Sequence, residues 1–166
     1  MAEIMFRKGV MPPAFCAEII GMYSGFMTKA SVGKGSRKTY RSGRKAMSHE
    51  MKPSLQLSAY TLGLAHQCSP DYEGELLPMQ CDLICYSEGD SFTRHKDAAE
   101  KEFTCIYFFN EGYEGGDLVF DNGTRISNPT VGSACIWRNT KDSYHQVEEV
   151  TKGKRFVLAH WLKAKR

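Results

Sequence analysis

Arg155-Phe156-Val157-Leu158-Ala159-His160-Trp161-Leu162 is the stretch that decides how this chain folds. Alternate residues of a β-strand point to opposite faces. One face therefore carries Arg155, Val157, Ala159 and Trp161, and the other carries Phe156, Leu158, His160 and Leu162. Both faces are largely apolar, so the segment reads as a strand buried on both sides. An arginine inside such a strand needs an anionic partner, because an unpaired buried charge is very costly. No acid lies near Arg155 in the sequence. A bound dicarboxylate meets the need, since guanidinium pairs bidentately with carboxylate. The alternative is an Arg155 at the strand mouth, in water.

Upstream of this strand, from Leu76 onward, short β-rich runs alternate with Gly, Asn, Asp and Pro. Strands are predicted near residues 79–86, 92–97, 103–110, 117–120, 124–127, 133–137, 144–150 and 155–162. Turn signals separate them: Glu88-Gly89-Asp90, Gly115-Gly116, Asp121-Asn122-Gly123 and Asn128-Pro129. The first part of the chain differs. Pro12-Pro13 precede apolar positions 15, 19, 22, 23 and 26 at helical spacing, and proline favours a helix start. A second helix is predicted over about 52–67, with Leu55, Ala59, Leu62 and His66 on one stripe. Between them, residues 31–44 hold three glycines and four serines or threonines and read as a loop. Many short strands after a helical section predict a mainly β fold with flanking helices (α+β), a sandwich or jelly roll buttressed by the N-terminal helices.

At 166 residues the chain is most simply one domain, 1–166, with residues 1–75 as helical support plus basic loop and 76–166 as the β core. Hydrophobic residues at 42% and charged residues at 25% are those of a soluble globular protein. No apolar run reaches the length of a membrane span. The N-terminus lacks a signal-peptide layout, so a cytoplasmic, non-membrane protein is expected. The six cysteines, Cys16, Cys68, Cys81, Cys85, Cys105 and Cys135, form no Cys-x-x-Cys pair, and most lie in apolar runs. They read as buried structural thiols. Net charge is +3 but uneven: Lys29 to His49 contains seven Lys/Arg and no acid. That segment is a solvated loop or a surface for nucleic acid or acidic substrates.

The triplet His95-Lys96-Asp97 is where chemistry enters. On a strand, His95 and Asp97 share a face, and His145 is free to close a three-ligand set from another strand. Two histidines and one carboxylate on one side of a metal leave its other positions open, as in non-haem Fe(II) oxygenases. A core histidine with a turn-starting aspartate is the plainer reading of the triplet alone. A zinc hydrolase could use the same three residues, but Arg155 would then have no role.

From Leu83 to Leu162 the chain resembles the Fe(II)/2-oxoglutarate-dependent dioxygenases, in their prolyl 4-hydroxylase-like branch. Residues 86–97, Tyr-Ser-Glu-Gly-Asp-Ser-Phe-Thr-Arg-His-Lys-Asp, match that branch's Tyr-x-x-Gly-x-x-aromatic-x-x-His-x-Asp signature. Residues 104–110 fit its next strand, which ends in Asn, here Asn110. Gly115-Gly116-Asp117-Leu118-Val119-Phe120 fits its Gly-Gly-x-x-x-Phe turn, and residues 129–134 fit its Pro-x-x-Gly-x-Ala segment. His145, with Arg155 ten residues on, completes the set.

The resemblance implies a double-stranded β-helix in which His95, Asp97 and His145 hold Fe(II) and Arg155 binds the distal carboxylate of 2-oxoglutarate. It implies that Tyr86 reaches the co-substrate, that O2 is consumed, and that ascorbate is a candidate accessory. Phe108 stands where some relatives have a tyrosine hydroxyl, and Ala159 where some have threonine. Thr104 is the hydroxyl expected to substitute. Tyr40, Arg41 and Arg44 of the basic loop are the candidate substrate contacts, the loop acting as a lid; Trp137 reads first as core and second as a substrate contact.

The implied reaction is hydroxylation of a C–H bond, first of all in a peptidyl or protein residue such as proline, with release of succinate and CO2. Oxidative demethylation of nucleic acid is the second reading. It lacks the second arginine downstream of Arg155 seen in the repair branch, since residues 156–162 contain none. A non-enzymatic jelly-roll binding module is the third. Oligomeric state is not legible in the sequence.

Overall fold

Each apolar face of the strand around Arg155 finds its own layer. The computed structural model describes residues 3–30 and 44–166. In chain order the elements are β1 (Ile4–Arg7), α1 (Pro13–Tyr23), a 3₁₀ turn (Ser24–Phe26), β2 (Thr28–Lys29), β3 (Met47–Met51) and α2 (Leu55–Cys68). Then follow β4 (Leu76–Ser87), β5 (Phe92–His95), β6 (Phe103–Phe108), β7 (Glu114–Gly115), β8 (Leu118–Phe120) and β9 (Arg125–Ile126). The last four are β10 (Ala134–Arg138), β11 (His145–Val147), β12 (Val150–Lys152) and β13 (Lys154–Ala164).

The larger sheet has the order β1-β10-β6-β13-β4-β3-β2, so β13 lies at its centre, paired antiparallel to β4 and β6. The smaller sheet is β5-β11-β8-β9. Val157, Ala159 and Trp161 pack with Ile84, Phe108 and Trp137 of the large sheet against Leu118, Phe120 and Val147 of the small one. Leu158 and Leu162 face the other way, with Leu83, Phe103 and Tyr107, and pack under Leu57, Leu64 and Ala65 of α2. The result is a jelly roll with helices on its outer face, as the alternation of residues 155–162 requires.

The helix α2 packs on a face other than the one expected from its spacing, although Leu62 still meets the core. In α2 the buried residues are Leu57, Thr61, Leu64 and Ala65, whereas Leu55 is 92% exposed and Ala59 and His66 are also exposed. The reason is polar. The Thr61 hydroxyl lies within hydrogen-bond reach of the Leu57 carbonyl, 2.6 Å from the Tyr107 hydroxyl and 2.8 Å from His160 Nδ1, and so turns that stripe inward. Ser54 caps the helix by accepting from the Leu57 amide. In α1, which begins at Pro13, the expected Phe15, Ile19 and Tyr23 pack against the core with Cys16 and Ile20, while Met22, and Phe26 in the 3₁₀ turn that follows, stand exposed.

Four short strands, β1, β2, β3 and β7, escape the sequence reading, and the expected strand over 144–150 divides into β11 and β12. β12 pairs with β7 as a separate ribbon. β1 is fixed by the chain that follows it, where the Val10 and Met11 amides donate to the Gly132 carbonyl. At Gly132 φ is +81°, and a Cβ there would lie 2.0 Å from the Met11 carbonyl oxygen, so the Pro-x-x-Gly segment accepts only glycine. The six cysteines are free, and all but Cys68 are buried. No helix among the described residues is long and apolar enough to cross a membrane.

Candidate metal centre

His95 ends β5 and His145 begins β11, and the two are register partners in the small sheet. Asp97 lies just beyond β5, not on it, so its shared orientation with His95 comes from the turn rather than from strand pleat. One ligand atom from each of the three lies within 4.8 Å of the others, near enough for one ion to bridge them.

The surroundings prepare each donor. His95 Nδ1 lies 2.8 Å from the Thr93 carbonyl oxygen and His145 Nδ1 lies 2.9 Å from that of Ser143. A carbonyl only accepts, so each Nδ1 carries a hydrogen, and Nε2 is the nitrogen left to face a metal. Such second contacts fix ring orientation in metal sites. Burial, reinforced by the neighbouring His145, lowers the His95 pKa to about 4, so the ring is neutral at pH 7. The Phe92 ring stacks on His95 at 3.5 Å between centroids, and Trp137 meets His145 edge-on at 4.8 Å.

Asp97 ends a hydrogen-bond chain. The Trp137 indole donates to Asn139 Oδ1 at 3.0 Å, Asn139 Nδ2 donates to Thr104 Oγ1 at 2.7 Å, and Thr104 donates to Asp97 Oδ2 at 2.5 Å. Burial pushes the Asp97 carboxyl up, but Lys101, His145 and the Thr104 hydroxyl together hold it below the usual carboxylate range. Thr104 therefore serves the carboxylate. The role expected for it, supplementing Arg155, does not fit: its β13 partner is Trp161, six residues along the strand from Arg155. Trp137 is wholly buried behind the His145 ring, as its core reading expects, and does not stand at the mouth as a substrate contact.

Arg155 lies in the same cavity as the triad, a space of about 590 Å³. It is 1% exposed, and its Nε and Nη1 have no hydrogen-bond partner. Asn110 brackets it: the side-chain amide donates to the Lys154 carbonyl at 2.8 Å and its oxygen accepts from the Phe156 amide at 2.7 Å. Gly116 leaves room for its stem, because a Cβ there would meet Arg155 Cδ at 2.8 Å. Tyr86 is the cross-strand partner of Arg155, with the guanidinium carbon 5.1 Å from its ring centroid. Of the basic-loop residues, Arg44 lines the cavity, its guanidinium 5.1 Å from the Phe92 ring centroid. Tyr40 and Arg41 lie outside the described residues.

Three further cavity residues had no sequence signal that singled them out. Lys101 lies with its ammonium 3.5 Å from the Trp161 ring centroid, and Asp82 and Glu50 line the floor. Outside the cavity lining, Tyr113 is buried beside Arg155, which pulls its phenol pKa down against the larger upward push of burial. The donor set fits Fe(II): two imidazoles and a carboxylate, all three of which line the cavity. The unpartnered Arg155 donors fit an anionic co-substrate there.

Known proteins point the same way. A PKHD-type hydroxylase of Aliarcobacter butzleri (strain RM4018) is 31% identical over 94 residues, 48% of this chain and 41% of the relative. The chain thus spans less than half the length of that relative. The viral collagen prolyl hydroxylase of Paramecium Bursaria Chlorella virus-1, solved with 2OG, superposes with a TM-score of 0.79 at 14% identity, covering 98% of this chain and 97% of that one. A prolyl hydroxylase from Trichoplax adhaerens, in complex with a hypoxia inducible factor oxygen degradation domain peptide fragment, gives 0.76 at 14% identity, covering 97% of this chain and 83% of that one. At such identities these two speak for the fold. The 2OG-Fe(II) oxygenase superfamily profile matches residues 81–163, half of the chain and all of the triad and Arg155, and the chain belongs to that superfamily.

Proposed function

We propose that the chain, as a single domain, is an Fe(II)- and 2-oxoglutarate-dependent hydroxylase acting on a C–H bond of a peptidyl residue, with proline the first candidate. One observation carries this reading: a buried arginine with unpartnered donors opens onto the same cavity as a His-Asp-His triad. The PKHD-type relative supports a hydroxylase, and the Trichoplax neighbour, held with a peptide, supports a peptidyl substrate.

His95, Asp97 and His145 would hold the ion, and Arg155 would pair with the distal carboxylate of 2-oxoglutarate while Tyr86 flanks it. When bound, Fe(II) with 2-oxoglutarate and O2 supplies the oxidation, one oxygen atom going to succinate, formed with CO2, and the other to the substrate hydroxyl. The chain's own contribution is orientation. The Thr93 and Ser143 carbonyls aim the imidazoles, Thr104 aims the carboxylate, and Phe108 and Val157 exclude water beside Arg155.

Anaerobic addition of Fe(II) and 2-oxoglutarate should produce the weak visible charge-transfer band of the chelate. His95→Ala should abolish it. No band with the native protein, or an undiminished band in His95→Ala, refutes the reading. Succinate release in air with ascorbate, measured over proline-containing peptides and over methylated oligonucleotides, then assigns the substrate class.

A further inference from the structure

The cavity floor away from Arg155 carries charges that the proposed reaction does not use. Along β13, Arg155 lies opposite Tyr86, and four residues on Ala159 lies opposite Asp82. At about 3.3 Å per residue this puts Asp82 roughly 13 Å along the sheet from Arg155. Asp82 lies directly across from Glu50 of β3, and both line the cavity. Like charges directly opposite on one face of a sheet destabilise it. Asp82 Oδ1 is moreover buried with no hydrogen-bond partner, a costly arrangement for a carboxylate.

Burial pushes the Asp82 carboxyl pKa up, with Arg44 and Lys101 pulling less strongly down, but neither cation bonds to it. Lys101 places its ammonium on the Trp161 face, 3.5 Å from the centroid, and Arg44 lies over Phe92. Neither forms an ion pair with Asp82 or Glu50 within 4 Å among the described residues. Two donors at the same site are also without partners: Arg44 Nε, and the indole N–H of Trp161, a residue only 6% exposed. Among the described residues the site therefore leaves Asp82 Oδ1 without a donor, and Arg44 Nε and Trp161 Nε1 without acceptors. A peptide with a basic residue offers both.

Resting on the peptidyl-hydroxylase reading, we propose that this floor selects a basic residue flanking the hydroxylated position. Its ammonium or guanidinium lies between Asp82 and Glu50, while Arg44 Nε and Trp161 Nε1 donate to main-chain carbonyls of the peptide.

The test is calorimetric binding, under argon, of blocked proline-centred nonapeptides to the protein loaded with Fe(II) and 2-oxoglutarate. The peptides differ only in the flanking residue: lysine, norleucine or glutamate. The lysine peptide should bind at least tenfold more tightly than the norleucine peptide, and the glutamate peptide more weakly than either. Asp82→Asn, nearly isosteric, should cut the lysine preference to threefold or less, and Glu50→Gln, at an exposed position, should reduce it in the same direction. Equal affinity for the lysine and norleucine peptides, no binding of either, or a preference untouched by both substitutions overturns the proposal. The charge-transfer band separates the two failures: a normal band with no lysine preference sinks this inference alone, whereas a missing band sinks the hydroxylase reading beneath it.

Discussion

Acidification should unfold this protein through a histidine that has no part in the site. His160 is wholly buried between the large sheet and α2, with Nδ1 2.8 Å from the Thr61 hydroxyl and Nε2 3.2 Å from the Met79 carbonyl oxygen. A neutral ring with its hydrogen on Nε2 satisfies both contacts when the Thr61 hydroxyl turns its one hydrogen to Nδ1 instead of to the Leu57 carbonyl. Burial lowers the folded-state pKa to about 4, against the small upward pull of the Met79 carbonyl. The unfolded chain takes up this proton near the ordinary histidine value of about 6.5, so it binds more protons than the folded chain between those limits. Stability is therefore complete above about 6.5 and is lost as pH falls towards about 4. The loss is about 2 kcal/mol at pH 5 and about 3 kcal/mol once pH has fallen through 4. Urea unfolding of the native protein and of His160→Gln, at pH 7.5 and pH 5.0, measures it. His95 titrates low as well, but it is present in both proteins and on the opposite side of the sheet, so its contribution cancels in the double difference. The native protein should lose about 2 kcal/mol more than the variant between the two pH values. A double difference within about 0.5 kcal/mol of zero would refute the claim that a buried neutral imidazole sets the acid limit.

Two substitutions test how the proposed metal site is held. Thr104→Val keeps shape but removes the hydroxyl that donates to Asp97, and should weaken Fe(II) binding about 10- to 100-fold in an anaerobic titration while leaving the folded spectrum intact. Gly116→Ala forces a Cβ to within 2.8 Å of Arg155 Cδ at a φ of +69°. It should cost about 1–2 kcal/mol of stability from backbone strain, and should raise KM for 2-oxoglutarate more than it lowers kcat; an unchanged KM would show that the guanidinium is not positioned from this turn.

What could be read from the residues follows from how local each signal is. The strand over 155–162 was legible because strand pleat is a rigid period of two, and both of its faces are apolar. The triad was legible because two ligands lie two residues apart, although Asp97 reaches its place through the turn after β5. The stripe of α2 was misjudged because its inward position is polar: Thr61 is buried only because Tyr107 and His160, 46 and 99 residues away, come to meet its hydroxyl. Thr104 was misjudged for the same reason. Its hydroxyl is short and finds whatever acceptor the register brings, and the register puts it beside Trp161 rather than beside Arg155. Hydrophobic periodicity survives tertiary context, whereas the partner of a single hydroxyl is decided by it.

The placement of Arg155 follows from three sequence features that are individually unremarkable. Strand alternation sends its side chain between the sheets, where water is excluded. Asn110, past the end of β6, uses its side chain as a further rung of the ladder and grips the backbone on either side of Arg155. The turn at Gly116 passes close over the aliphatic stem, which only a residue without Cβ allows. Side chain, backbone and stem are thus each constrained by a different segment, and what stays unsatisfied is the guanidinium edge. On the proposed hydroxylase reading its partner arrives from outside the chain, is anionic, and lies in the cavity onto which His95, Asp97 and His145 also open. That requirement, more than the triad, ties the metal to one class of co-substrate: three ligands alone would serve a hydrolytic ion as well, but an ion that works on water needs no buried guanidinium beside it.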